Sequence, residues 1–255
     1  MIRLKSLSEI ATMREAGRVV ARTLAAVAEA ARAGVSLSEL DELAAGLISA
    51  AGANPSFLGY RPTWASTRYP GVLCLSVNDA IVHGIPNGRV LRDGDLLSID
   101  CGAYVEGFHA DAAITVGVGD LDDRARHLSE TTRLALEEGI AVVAVGGRLS
   151  DISHAVETVA RGAGYGVPPN MGGHGIGTKM HEDPHLANTG RPGRGVRLRE
   201  GMVLAIEPML IESGRDRART ARDGWTVLTG DGSRAAHWEH SVAVTGDGPV
   251  ILTLP

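Results

Sequence analysis

Cysteine is scarce. Cys74 and Cys101 are the whole complement, too few for a disulfide framework, which points to a reducing, cytoplasmic setting. Positive charge is not in excess either. Lys and Arg number 25 against 30 Asp and Glu, a formal net charge of −5, so the total charge favours neither nucleic acid nor an anionic membrane as partner. No stretch approaches the ~18 uninterrupted apolar residues of a membrane span. The opening MIRLKSLSEIATMREAG is broken by charge before it builds the apolar core of a secretion signal. Low-complexity tracts and linkers are missing as well. What is present is a chain of 255 residues, 44% hydrophobic and 22% charged, long enough to bury a real core and read as one domain over 1–255.

Two capping boxes come first. Ser6-Leu7-Ser8-Glu9 predicts a helix to about Arg32, and Ser36-Leu37-Ser38-Glu39 predicts a second closing near Gly52. Residues 53–70, rich in proline and aromatics, read as a loop. Strand-like runs follow at 71–77 and 95–101. The order then recurs: a long helix over 122–145, a shorter one capped by Ser150 and ending around Gly162, and strand signals at 201–211, 225–229 and 234–245. Each half is two helices followed by β structure. A pseudo-symmetric α+β arrangement is expected, with halves of approximately 1–120 and 121–255.

Residues 172–185, GGHGIGTKMHEDPH, contain an H-E-x-x-H match at its end. That zinc pattern works only on a helix. Pro184 breaks the turn it needs, and the glycines upstream make a poor helix. A dinucleotide loop fails too, because the glycines lack G-x-G-x-x-G spacing. The segment reads as extended backbone that holds histidines close to something else.

The carboxylates say what. LLSID at 96–100 and GFHADAAITV at 107–116 flank a turn-like Tyr104-Val105-Glu106-Gly107. A two-residue turn at 105–106 would set Asp100 directly opposite Asp111 on one face. Strand aspartates are often merely solvated, but these two lie in apolar strands, where a cation between them turns repulsion into binding. MVLAIEPML places Glu207 in another apolar run, and AHWEHSVAV does the same for Glu239. A lone buried glutamate more often pairs with arginine than with metal. Four carboxylates in apolar β runs, plus the glycine-framed His174, make a different case: two divalent ions cancel the four negative charges. A two-metal hydrolase is the economical reading.

Local words carry a family resemblance: VHGIP at 82–86, IDCG at 99–102, GFHAD at 107–111, GHGIG at 173–177, HEDP at 181–184, AIEPM at 205–209 and HWEHSV at 237–242. In order and spacing, over nearly the whole chain, they resemble the methionine aminopeptidases of bacterial type 1, within peptidase family M24. The resemblance implies the pita-bread (creatinase/aminopeptidase-like) fold, two pseudo-symmetric halves with helices covering a curved antiparallel sheet. It implies a monomeric, cytoplasmic enzyme that removes the initiator methionine from nascent polypeptides, near the ribosome exit, when the second residue is small. It also implies two divalent metal ions (Co, Mn, Fe or Zn) and a metal-activated water that attacks the first peptide bond.

Roles follow from the same resemblance. Asp100 chelates one metal, Asp111 and Glu239 bridge both, and His174 with Glu207 completes the other. Glu207 takes the water's proton, His181 polarises the scissile carbonyl, and His83 contacts the substrate backbone or the leaving amine. Tyr60, Tyr69, Cys74 and Trp225 line the methionine pocket. Phe57 stands where relatives often have cysteine, and Met180 where phenylalanine often precedes the histidine. The loop RPTWASTR between Tyr60 and Tyr69 is longer than the family's. His109 and His185 match no catalytic position and read as structural; His240 reads either as a group behind the ligands or as an exposed strand residue. Two rivals remain. An aminopeptidase P or prolidase shares the fold and all five ligands but carries a large extra N-terminal domain. A non-catalytic binding protein on the same fold commonly loses ligands, and this chain keeps all five.

Overall fold

The computed structural model describes residues 2–255. Both serine boxes cap helices as the sequence predicts. Ser6 accepts from the Glu9 N–H while Glu9 accepts from the Ser6 N–H at the start of α1 (Leu7–Ala30), and Ser36 and Glu39 do the same for α2 (Leu37–Ala50). A short β1 (Asn54–Pro55), β2 (Leu73–Val77) and β3 (Ala80–Val82) lead to the long hairpin of β4 (Leu96–Val105) and β5 (Phe108–Gly117). The second half opens with α3 (Asp123–Ala141) and α4 (Leu149–Gly162). Arg148, not Ser150, is the cap of α4: its N–H is held by Asp151, and Ser150 lies inside the first turn, bonded to Arg194 O.

The segment around His174 forms two strands that the alternation rule does not detect, β6 (Gly172–Gly175) and β7 (Glu182–Ala187). The H-E-x-x-H match is therefore extended, as Pro184 requires. Next come β8 (Val203–Ile206), β9 (Met209–Ile211), β10 (Ala218–Thr220), β11 (Val227–Thr229), β12 (Ala235–His237), β13 (Glu239–Thr245) and β14 (Gly248–Ile251). One nine-stranded antiparallel sheet runs β1-β4-β5-β13-β8-β6-β7, with β2 beside β4 and β14 beside β13. The strands β10-β11-β3 and β12-β9 form two small sheets.

Strand alternation sorts the two faces of the large sheet. In β4 and β5, Leu97, Ile99, Cys101, Ala110 and Ala112 pack with Val20, Leu24, Leu40 and Ile48 of α1 and α2. In the second half, Leu136, Ile140 and Ile152 of α3 and α4 pack on Leu204, Ile206, Val242 and Val244. Helices thus cover one face, and Asp100 and Asp111 point from the other. The hairpin turn is Glu106-Gly107, with φ of 49° and 79°, one residue later than expected and as a type I′ turn requires. Asp100 therefore opposes Ala113, and Asp111 opposes Gly102. The two aspartates are diagonal rather than direct neighbours, still on one face, because moving the turn by one residue preserves the alternation.

The halves meet where β5 pairs β13, through Glu239 opposite Ala113 and His240 opposite Ala112. Hydroxyl side chains extend this seam on both sides. Ser241 Oγ accepts from Asp111 N–H at 3.0 Å and donates to Asp111 C=O at 2.9 Å. Thr115 Oγ1 accepts from His237 N–H at 3.0 Å and donates to His237 C=O at 2.7 Å. Removing one such hydroxyl leaves a buried amide and carbonyl unsatisfied. Ser241→Ala should cost about 1–3 kcal/mol, read as a lower urea midpoint at unchanged m-value; an unchanged midpoint would show that the rung carries no stability.

Candidate metal centre

Across the seam, register puts Asp100 (β4), Ala113 (β5) and Glu239 (β13) in one row. The small Ala113 side chain leaves the space between the two carboxylates open. Asp111 stands two residues from Ala113 on the same face of β5. His174 of β6 pairs with Ala205 of β8, and Glu207 follows directly after that strand. A Cβ on Gly173 would lie 2.0 Å from Ala205 O, so only glycine lets β6 come this close and deliver His174.

His174 Nδ1–H donates to Gly175 O at 2.9 Å, which leaves Nε2 unprotonated and free to bind. That nitrogen is 3.6 Å from Glu207 Oε1. Burial, with His181 nearby, pushes the His174 pKa down to about 3, so the ring is neutral at physiological pH. The carboxyls move the other way. Burial first, then the neighbouring carboxylates, raise Asp100, Glu207 and Glu239 well above the usual range, and burial raises Asp111 to about 7.

Do these residues fit a metal? Asp100 Oδ1, Asp111 Oδ1, Glu239 Oε1 and His237 Nε2 are enclosed and have no hydrogen-bond partner. Buried polar atoms are nearly always satisfied, and here the orphans belong to one carboxylate cluster. Asp111, His174 and Glu239 bring donor atoms within 4.8 Å of one another, and Glu207, His237 and Glu239 form a second such group. The donor set fits divalent cations.

His237 is the member that sequence reasoning missed. It is 1% exposed, and its Nε2 lies 3.5 Å from Glu207 Oε2 and 3.8 Å from Glu239 Oε2. Its position two residues before Glu239 was the available signal, since extended backbone puts both on one face.

All thirteen candidate ligand, catalytic and pocket residues line one cavity of about 820 Å³. The polar end holds Asp100, Asp111, His174, Glu207 and Glu239, with His83 and His181 on the walls. His83, at φ 58°, has its Nδ1 enclosed without a partner, and burial pushes its pKa down to about 4. His181 stacks on Tyr60 at 5.2 Å, lies tilted against the His174 ring at 4.1 Å, and has a pKa lowered to about 4 where the ring is desolvated. The apolar end packs Phe57, Tyr69, Cys74, Met180 and Trp225, with Tyr60 half-buried beside them. Tyr69 Oη lies 2.8 Å from Gly84 O, tying this wall to the peptide after His83.

His109 bonds Ser56 Oγ at 2.8 Å, a structural role. His185 opposes His174 in register and stands on the cavity wall, exposed. His240 is half-buried and bonded to Thr253 Oγ1 at 2.8 Å, which removes the exposed-strand reading. Glu182 pairs with the buried Lys5 at 2.7 Å, so it anchors the His181 segment rather than acting as a zinc-helix base. The long loop is closed by Gly59 N–H to Tyr69 O and Tyr69 N–H to Tyr60 O, and pinned by Trp225 Nε1–H to Thr67 Oγ1 at 3.1 Å. It carries Trp64, unremarked in the sequence, over the His83 ring at 6.0 Å.

Residues 11–246 match the sequence pattern of Metallopeptidase family M24. The chain belongs to this family. Methionine aminopeptidase 1 of Mycobacterium tuberculosis (strain CDC 1551 / Oshkosh) is 53% identical over 257 residues, covering 98% of this chain and 94% of its own. The crystal structure of a methionine aminopeptidase from Thermotoga maritima superposes with a TM-score of 0.95 at 40% identity, over 100% of both chains. A prolidase from Pyrococcus furiosus, of which 65% is covered, gives 0.79 at 21% identity, a likeness of fold alone. The expected resemblance to type 1 methionine aminopeptidases and the pita-bread fold are both borne out. The family is one of metallopeptidases, and the carboxylate–imidazole cluster supplies its candidate ligands for divalent metal. No helix among the described residues is long and apolar enough to cross a membrane.

Metal removal should expose the carboxylate repulsion. Folding raises the carboxyl pKa values, so the folded state binds more protons than the unfolded chain above the ordinary carboxylate range. The stability these groups contribute is complete at acid pH and is lost as pH rises through their folded values. The melting temperature of chelator-treated protein should therefore fall between about pH 5 and 7.5, and a divalent cation at the upper end should restore it. Calorimetry that found it rising across that window would contradict the assignment.

Proposed function

We propose that the protein is a metal-dependent methionyl aminopeptidase that removes the initiator methionine from nascent polypeptides whose second residue is small. The observation that carries this reading is a cavity in which partnerless carboxylate oxygens adjoin an apolar wall. The centre takes two ions of Co, Mn, Fe or Zn, held by Asp100, Asp111, His174, Glu207 and Glu239. Such ions make water a nucleophile at neutral pH and polarise a carbonyl oxygen.

The chain's own groups do the rest. Phe57, Tyr60, Tyr69, Cys74, Met180 and Trp225 hold the methionine side chain by contact. His181, neutral because its pKa is near 4, offers an N–H to the carbonyl oxygen as negative charge develops there. Glu207 accepts a proton from the attacking water and returns it to the leaving amine. His83 presents its ring to the substrate backbone and that amine. The whole of 1–255 works as one peptidase domain, a cytoplasmic monomer that meets its substrates near the ribosome exit.

The deciding assay compares Met-Ala-Ser with Ala-Pro peptides before chelation, after it, and after metal is restored. Hydrolysis of Met-Ala-Ser alone, abolished by chelation and recovered with Mn, Fe or Co, is expected. Cleavage of Ala-Pro would assign the protein to the proline-specific branch. Asp111→Asn should lose metal and activity together. His181→Ala should keep its metal and lose kcat by roughly 10²–10³; loss of its metal would overturn the oxyanion role.

Met180 is 3% exposed within the apolar wall. Its flexible thioether gives a softer surface than a ring, so Met180→Phe should sharpen discrimination between Met-Ala-Ser and Leu-Ala-Ser. The gain in the kcat/KM ratio is bounded by the ~1–3 kcal/mol that one methylene of fit supplies. An unchanged ratio would show that Met180 does not shape the pocket.

A further inference from the structure

We propose that His237 is itself a metal ligand, forming with Glu207 and Glu239 a donor set beyond the five expected residues and giving the centre a second imidazole. This rests on the metal-hydrolase reading above. Glu207 has an imidazole nitrogen off each carboxylate oxygen: His174 Nε2 is 3.6 Å from Oε1, and His237 Nε2 is 3.5 Å from Oε2. Donor atoms bound to one ion by ~2.1 Å bonds stand roughly 3.4 Å apart at the tetrahedral angle. His237 keeps that spacing from Glu207, and lies 3.8 Å from Glu239 Oε2.

A hydrogen bond would look different. A charge-assisted N–H···O contact closes to ~2.7–2.9 Å and selects one oxygen. His237 instead stands between two carboxylates with Nε2 enclosed and unpartnered. Its backbone is fixed on both sides by Thr115 Oγ1, so the ring is aimed by built support. A second imidazole shifts an otherwise carboxylate-rich centre toward the nitrogen-preferring later divalent ions, Co and Zn over Mn.

The test uses the full chain loaded with two equivalents of Co(II), compared with His237→Gln and His181→Ala. X-ray absorption counts imidazoles by their multiple scattering. Two per pair of ions are expected in the natural protein and in His181→Ala, and one in His237→Gln. Chelator competition should show about tenfold or greater loss of Co(II) affinity in His237→Gln. Affinity alone would not separate a ligand from a hydrogen-bond donor; the imidazole count does. One imidazole in the natural protein, or two retained in His237→Gln, overturns the proposal while metal-dependent hydrolysis of Met-Ala-Ser still stands. A protein that binds no Co(II) overturns both. Should His237→Gln fail to fold, a His181→Ala protein that shows fewer imidazoles than the natural one assigns the second ring to His181 and overturns the proposal.

Discussion

Asp100, Asp111 and Glu239 stand on one face of a single sheet with Glu207 just past the end of β8; burial drives all four carboxyl pKa values upward, and repulsion between carboxylates adds to it at Asp100, Glu207 and Glu239. Repelling groups separate unless the backbone beneath them is stiff. Much of the surrounding structure supplies that stiffness. Hydroxyls of Thr115 and Ser241 bond both backbone polar groups of the residue opposite them, His237 and Asp111. Gly173 lets the His174 strand lie against Ala205. The buried Lys5–Glu182 pair fixes the segment that ends at His181. Each device holds a ligand or a candidate catalytic group in place before any cation arrives, so binding need not pay for ordering.

Much of this was legible in the sequence because the signals were local or chemical. Ser6 and Ser36 announce helix starts through their own side chains. Pro184 rules out a helix at the H-E-x-x-H match, and the segment is a strand. The hairpin turn fell one residue late because Glu106-Gly107, not Val105-Glu106, supplies two residues tolerant of positive φ. The conclusion drawn from it survived, since facing depends on parity and not on the exact partner. Less local features were not legible. The short strands β6 and β7 are held by pairing, β6 with β8 and β7 with β6, rather than by propensity. The α4 cap passes to Arg148 because Asp151 reaches back to its amide. His237 and Trp64 matter through what folding sets beside them, which spacing along the chain does not encode.

The cavity is divided between the halves by chemistry. The first supplies Asp100, Asp111 and His83 with most of the aromatic wall; the second supplies His174, Glu207, Glu239, His181 and Trp225. Neither holds all five candidate ligands, and the row Asp100–Ala113–Glu239 crosses the β5–β13 seam itself. Two residue pairs of backbone register join the halves at that seam, the hydroxyl rungs of Thr115 and Ser241 reinforce it, and β3 with β11 forms a second junction. Divalent ions held by residues from both sides would act as a further cross-link. With ions held there, metal binding and the union of the two halves would be one equilibrium: what tightens the seam would pre-form the site, and what fills the site would tighten the seam.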